Sequence, residues 1–158
     1  MLLAYRLVRL IETHSDRLAE GLLVKLQHCE KCKDFRRVPG EEFRQRVYEV
    51  YDHLGEWLMG KKEEDIARRY VEIGKRREAQ GVPLSQLTYA IVLTREHLWN
   101  YLKHESNIEK PVEVFGELEM MELLEQFFDR ALYYAALGYE EAHAARIQRE
   151  EADHVVGR

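Results

Sequence analysis

Apolar residues recur at helical spacing along almost the whole chain. Over residues 2–30 they predict one long helix, whose apolar side is formed by Leu3, Leu7, Leu10, Ile11, Leu18, Leu22 and Leu26. Pro39 and Gly40 end the following polar stretch, and residues 41–59 predict a second helix that stops at Gly60. The first third of the chain is therefore expected to form two helices.

The middle of the chain predicts two helices joined by a short link. The third helix is predicted over residues 63–80 and the fourth over residues 84–104. Gly81 lies where a C-terminal cap belongs, and Pro83 pre-sets the entry into the next helix. Because the link is short, the two helices are expected to be neighbours.

A loop over residues 106–111 precedes a last, long helix that runs from about residue 112 past Asp153. No segment alternates like a β-strand, and no internal repeat occurs. The pattern predicts an all-α, single-domain bundle of about five helices over residues 1–158 that ends in a long C-terminal helix.

Composition narrows the class of protein. The 158 residues are 46% hydrophobic and 34% charged, as in a globular domain. A net charge of −5 argues against a nucleic-acid surface. The N-terminus does not resemble a secretory signal, and the longest apolar run, residues 131–139, is too short to span a bilayer. We expect a cytoplasmic protein without membrane or nucleic-acid partners.

Two segments resemble a known family. "RLIETHSDRLAEGLL" and "GKRREAQGVPLSQLTYAIVLTREHLWNYL", followed by a long terminal helix, are similar to the N-terminal sensor domain of RsbT co-antagonist proteins, which are stressosome components. The sharpest part is Arg77, Gln80, Gly81, Val82, Pro83 and Leu84. The resemblance implies a helical, globin-like or bundle-like input domain with a regulatory role and frequent dimers. No effector domain follows residue 158, so we expect either a stand-alone version of the domain or a chain from which the rest has been cut away, and the output of the module stays open.

Two arginines lie on or beside apolar helical faces. Arg77 falls on the apolar face of the third helix, and Arg95 lies between the apolar face of the fourth helix and Trp99. A guanidinium near a core needs a carboxylate or carbonyl partner. The favoured interpretation is a structural ion pair with an acid such as Glu12, Asp16 or Glu49. The alternative is an anion-recognising arginine inside a sensor pocket, which would use its forked donors.

Cysteines and histidines raise metal and redox chemistry. Cys29 and Cys32 form a C-x-x-C pair beside His28, which could make a disulfide or half a zinc site. The favoured interpretation is two incidental reduced thiols. His97, at the flank of its helix's apolar arc, is the candidate axial ligand if haem were bound. We expect no cofactor.

Small residues follow a heptad pattern on the last helix. They are spaced 4, 3, 4, 3 and so on at Ala131, Ala135, Gly138, Ala142 and Ala145. Such a seam lets two helices approach closely, either within the bundle or between two copies of the chain. The favoured interpretation is a homodimer seam, with residues 131–156 as the dimerisation or signalling helix.

The sequence contains no nucleotide-binding, hydrolase or kinase motif, so we expect a non-catalytic protein. The hypothesis is a signal-sensing module that homodimerises and transmits a signal through its C-terminal helix to a protein partner or effector domain. One alternative is a metal-, haem- or redox-dependent protein that uses His28, Cys29 and Cys32 or His97. Another is a structural adaptor that binds no ligand.

Overall fold

A computed structural model describes residues 2–60, 62–105 and 111–157, and within them the side chains of residues 6–58, 60, 62–104 and 118–157. The elements are α1 (Leu2–Thr13), α2 (Ser15–Gln27), the 3₁₀ helix η1 (Glu30–Arg37), α3 (Gly40–Asp52), α4 (Leu54–Met59), α5 (Glu63–Ala79), α6 (Leu84–Glu105) and α7 (Pro111–Val156). These described residues contain no strand, and they form one helical domain with a long C-terminal helix, which confirms the predicted fold class. Apart from Pro111, the predicted loop over residues 106–111 lies outside the described residues.

Two predicted helices are each broken in two by a histidine. His14 separates α1 from α2 and has φ −106° and ψ 20°, and His53 separates α3 from α4 with φ −108° and ψ 17°. The break at His14 lets α1 pack on α4 and α7 while α2 packs on α3 and α6. The break at His53 brings Gly55 against α1, where a Cβ would lie 2.9 Å from Val8 Cγ1. Apolar spacing continues across both breaks, so the prediction of single helices was wrong in this detail.

The polar stretch after α2 forms η1 rather than an open loop. Cys32 and Phe35 are buried from η1, which packs on α2 and α6. The amide of Asp34 donates to Gln86 Oε1 at 2.8 Å, and Gln86 Nε2 donates to Asp34 Oδ2 at 2.6 Å. These two hydrogen bonds attach η1 to the start of α6.

Helices α5 and α7 form the most extensive contact of the domain, and they run parallel. Tyr134 of α7 donates to Glu63 at the start of α5, whereas Arg146, further along α7, donates to Glu78 near the end of α5. Parallel neighbours need a long connection, and α6 supplies it by returning across the bundle. The core between them is aromatic: Phe127 packs on Tyr70 with ring centroids 5.8 Å apart. Burying each such ring contributes about 1.5–3 kcal/mol.

Candidate functional site

The link between α5 and α6 (residues 80–84), hereafter the α5–α6 turn, is attached to two other elements. Gly81 has φ +75°, a left-handed conformation that favours glycine, and its carbonyl accepts a hydrogen bond from Arg37 Nη1 at 2.9 Å. Val82 is fully buried, and its carbonyl accepts a hydrogen bond from the Tyr139 hydroxyl at 2.7 Å. The turn is therefore joined to η1 on one side and to α7 on the other.

Three side chains at the end of α5 converge on one carboxylate of α3, and we call this group the Glu42 cluster (Glu42, Arg76, Arg77, Gln80). Arg77 Nη1 donates to Glu42 Oε1 at 3.0 Å, and Gln80 Nε2 donates to Glu42 Oε2 at 3.2 Å. Arg76 Nη2 donates to Glu42 Oε2 at 2.9 Å. The hydrogen bond from Arg76, helped by Arg77, outweighs burial and lowers the pKa of Glu42 to about 2.

The buried arginine of this cluster is the one that the sequence singled out. The Arg77 side chain is 3% exposed, and burial lowers its pKa while Glu42 opposes that change. A structural ion pair was the favoured interpretation, but the carboxylate that Arg77 contacts is Glu42, not Glu12, Asp16 or Glu49. The pairing matters because a buried guanidinium without a partner would be costly.

A second buried carboxylate joins α5 to α7. Glu78 Oε1 accepts a hydrogen bond from Arg146 Nε at 2.6 Å and lies 3.4 Å from His143 Nδ1. Burial opposes the charged form of Glu78, yet the hydrogen bonds from Arg146 and His143 lower its pKa below the usual range. Arg146 Nη1 also donates to Glu150 at 3.0 Å. Along α7, the last described polar contact with α5 is therefore the ion pair of Arg146 with Glu78.

Arg95 lies away from the Glu42 cluster. Its Nη1 is 3.7 Å from Asp129 Oδ1 of α7, and the two side chains are 30% and 70% exposed. An exposed pair of this kind contributes about 0–1 kcal/mol. The structure therefore places the two predicted ligand-binding arginines, Arg77 and Arg95, in separate ion pairs rather than in one pocket.

The first half of the predicted seam is covered within the chain. Ala131 and Ala135 are fully buried. A Cβ on Gly138 would lie 2.1 Å from the carbonyl oxygen of Val71, and a Cβ on Gly74 would lie 2.0 Å from the carbonyl oxygen of Ala135. The backbones of α5 and α7 touch at Gly74 and Gly138. The seam positions Ala131, Ala135 and Gly138 are therefore used for packing within the chain, which the sequence analysis left open as the alternative to a homodimer seam.

The second half of the seam continues beyond the bundle. Ala142 is half-buried and Ala145 is exposed, and all side chains of residues 143–157 are exposed in the single chain. Val156, near the end of the helix, is 85% exposed. Helix α7 therefore extends past the domain with no described partner along its last turns.

The C-x-x-C pair lies at the junction of α2 and η1. Cys32 is 1% exposed, and its thiol hydrogen lies toward the carbonyl of Gln86, with 3.9 Å between the heavy atoms. Burial, followed by the neighbouring Cys29 thiol, raises the pKa of Cys32 to about 12. His28 is exposed, and its Nδ1 lies 2.8 Å from the carbonyl oxygen of Val24. The thiols are neighbours, but the histidine ring is engaged by its own helix.

His97 is fixed between α6 and α2. Its Nε2 donates to the carbonyl of Leu18 at 2.9 Å, and a Cβ on Gly21 would lie 2.9 Å from the ring. Burial and the nearby Lys25 lower the pKa of His97, while the bond to Leu18 opposes them. In this arrangement Nε2 offers no lone pair to a haem iron.

In the described parts of the chain, no three His, Cys, Asp or Glu side chains converge as a metal-binding group. His28, Cys29 and Cys32 therefore form no such group within one chain.

Sequence reasoning missed three residues that the structure makes central. Glu78 falls eight residues after Tyr70 and four after Gly74 on the same face of α5, so helical periodicity could have identified it as buried. Tyr139 was not singled out from the sequence, because its partner, the carbonyl of Val82, lies 57 residues away in the chain. Glu42 carries no local signal, because its partners are more than 30 residues away on another helix.

One protein-family model matches almost the whole chain. It is that of the RsbT co-antagonist protein rsbRD N-terminal domain, and it matches residues 12–154. The chain belongs to this family. The resemblance that the sequence indicated is thereby confirmed. Searches of curated proteins and of solved structures gave no match.

The matched part includes the Glu42 cluster, the α5–α6 turn and most of α7. The RsbT co-antagonist N-terminal domain is a regulatory, stressosome-type domain, and domains of this family interact with other proteins. Among the described residues of this family member, none of the helices combines the length and the apolar character needed to cross a bilayer.

Proposed function

We propose that this chain is a non-catalytic, cytoplasmic input module that homodimerises through the end of α7 and passes a signal along that helix. The output would be a protein partner or an effector domain. The observation that carries the proposal is the extension of α7 beyond the bundle, with small residues at heptad spacing on an exposed helix.

The seam in this proposal is shorter than the sequence suggested. Ala131 and Ala135 are buried within the chain, and Ala135 and Gly138 contact α5, so Ala142 and Ala145 are the first positions available to a second copy. Heptad spacing then continues through Arg149 and Ala152. An exposed helix gains most by covering such a face, because burial of apolar surface drives helix pairing.

Transmission would use the contacts between α5, the α5–α6 turn and α7. Tyr139 and Arg146 attach α7 to Val82 and Glu78, so a change in the packing of the turn reaches the helix at two points. Such a signal works as a population shift, which requires that the ligand or partner bind two packings with different affinities.

The test compares Ala145→Glu with Ala144→Glu by native mass spectrometry and sedimentation. Both positions are exposed in the single chain, but only Ala145 lies on the seam, so Ala144→Glu is a matched control. We expect the native chain and Ala144→Glu to be dimeric and Ala145→Glu to be monomeric, because a buried carboxylate in the seam would be unpaired. A native chain that stays monomeric at high concentration contradicts the proposal. Ala135→Glu is unsuitable because Ala135 lies in the core.

One observation favours a redox-dependent module as a second candidate: the thiols of Cys29 and Cys32 are close enough to influence each other. A count of free thiols before and after mild oxidation, with a metal assay on the same sample, tests it. Loss of both free thiols together, accompanied by a structural change in α6, would favour this candidate. If both thiols survive oxidation, the candidate is removed.

A further inference from the structure

A basic pocket lies between α2 and α6, on residues that take no part in the α5–α6 turn or the seam. Its volume is about 560 Å³. It is lined by Arg17 and Lys25 of α2 and by His97, Asn100, Tyr101 and His104 of α6. A space of this size is within the range of about 300–1,000 Å³ that small-molecule sites occupy.

The pocket is positively charged, although the protein as a whole is negatively charged. The chain has a net charge of −5, yet none of the described residues that line this pocket is Asp or Glu. Arg17 and Lys25 make no ion pair with any described residue, whereas Arg44, which packs beside the same helix, pairs with Glu20. Two cations without a described acidic partner, in a concave space whose described lining holds no carboxylate, concentrate positive potential there.

The walls of the pocket are fixed before any ligand enters. The bond from His97 to the Leu18 carbonyl and the contact of its ring with Gly21 hold α6 against α2. Tyr101 is placed by a ring contact with His14, at 6.0 Å between centroids. His97, Tyr101 and His104 follow one another at helical spacing and so share a face of α6. Because the site is already ordered, little free energy is lost in ordering it when a ligand binds.

We propose that this pocket binds the phosphate group of a small, soluble organic molecule. The forked donors of Arg17 and the ammonium of Lys25 supply two positive charges, which match the two negative charges of a phosphate monoester. The volume exceeds what a phosphate ion needs, and the rings of Tyr101 and His104 offer a surface for the organic part. The inference stands whether or not the chain dimerises, since the seam and the pocket share no residue.

The test uses phenyl phosphate as the probe, with phenol as the uncharged control, on the whole chain. Binding is followed by isothermal titration calorimetry and by NMR shifts of the histidine rings. We expect phenyl phosphate to bind and to shift His97 and His104, and phenol not to bind. Because both charge-assisted interactions with the phosphate are removed, Arg17→Gln with Lys25→Gln should weaken binding at least about tenfold.

The matched control is Lys33→Gln with Arg36→Gln, which removes the same charge from exposed residues outside the pocket. It should keep the affinity of the native chain. An equal loss in both double variants would show that binding follows net charge, and this would overturn the proposal. No binding at millimolar phenyl phosphate, or shifts confined to other histidines, would also overturn it.

A lipid headgroup carries the same phosphate chemistry, so a second arm separates the two sources. The chain is sedimented with vesicles of phosphatidylcholine alone or mixed with phosphatidic acid. We expect phenyl phosphate to bind and neither vesicle to bring the chain down. Sedimentation with phosphatidic acid vesicles in the absence of phenyl phosphate binding would overturn the assignment to a soluble molecule.

Discussion

At the scale of single residues, one carboxylate organises the end of α5. Glu42 accepts hydrogen bonds from Arg76, Arg77 and Gln80, and its side chain is only 15% exposed. Arg77 and Gln80, two residues of the motif that indicated the family, are therefore hydrogen-bond partners of a residue on α3. The motif thus includes side chains that hold the end of α5, next to the α5–α6 turn, against α3.

The Glu42 cluster predicts a stability that depends on acid pH. The pKa of Glu42 is about 2 in the folded chain and near 4.5 when unfolded, so its contribution is complete above pH 4.5 and is lost as pH falls toward 2. We expect Glu42→Gln to lower the free energy of unfolding by about 2 kcal/mol at neutral pH and by less at pH 3. Urea unfolding at both pH values measures this.

Glu41→Gln is the control for this experiment, because Glu41 is an exposed neighbour on the same helix with no ion pair to a described residue. It should follow the native pH profile. If Glu42→Gln and the native chain lose stability in parallel between pH 7 and pH 3, the Glu42 cluster does not stabilise the fold as described.

What the sequence revealed at this scale was the position of Arg77, not its partner. Helical periodicity tells which side of α5 a residue faces, and it correctly placed Arg77 inward. It carries no information on which other helix packs there. The partner depends on tertiary arrangement: Glu12 and Asp16 lie on other helices, whereas Glu49 lies on α3 with Glu42 but pairs with Arg69 of α5.

At the scale of elements, the contact of α5 with α7 depends on glycine. Gly74 and Gly138 let the two backbones touch, with Val71 and Ala135 supplying the opposing carbonyls. Because helix axes usually lie 8–10 Å apart according to their side chains, the absence of a Cβ at both positions places this pair at the close end.

Adding one methyl group at this contact should separate the helices. In Gly138→Ala the Cβ would lie 2.1 Å from a backbone oxygen, which cannot move aside like a flexible side chain. We expect a loss of about 2 kcal/mol or more, seen as a lower unfolding temperature. Gly40→Ala is the control, since no atom lies within 4 Å of its Cβ position. Equal unfolding temperatures for both variants would contradict the close contact.

Helix α7 also shows what the sequence pattern alone could not predict. Heptad-spaced small residues correctly indicated that another helix approaches α7 closely. The spacing could not distinguish a helix of the same chain from a second copy. Within the chain, Ala131 and Ala135 are buried, and Ala135 and Gly138 lie against α5. The breaks at His14 and His53 were missed for a related reason: the apolar period is unchanged across them, and only packing decides where the axis bends.

At the scale of the whole molecule, the domain and the end of α7 are separable. The last described polar contact between α7 and the bundle is that of Arg146 with Glu78, and the residues after it are exposed. The stability of the bundle should therefore not depend on the final turns, which the proposed function reserves for pairing.

A chain shortened after Glu150 should unfold at the same temperature as the native chain under conditions where both are monomeric. A chain shortened after Ala142 should unfold several degrees lower, because it loses Arg146 and His143 and leaves Glu78 buried without them. Differential scanning calorimetry of the three chains measures this. A large loss on removing residues 151–158 alone would contradict the separation.

The glycine contact also determines how a movement would be delivered. With backbones touching at Gly74 and Gly138, α7 cannot slide freely along α5, but it can pivot about that point. The part of α7 from Gly138 to its end at Val156 makes an arm of about 27 Å. A rotation of about 15°, comparable to that of subunits in known allosteric proteins, displaces its tip by about 7 Å. The two glycines would thus act as a pivot, and under the proposed function a small adjustment in the bundle would change the position at which the far end of α7 holds a partner protein.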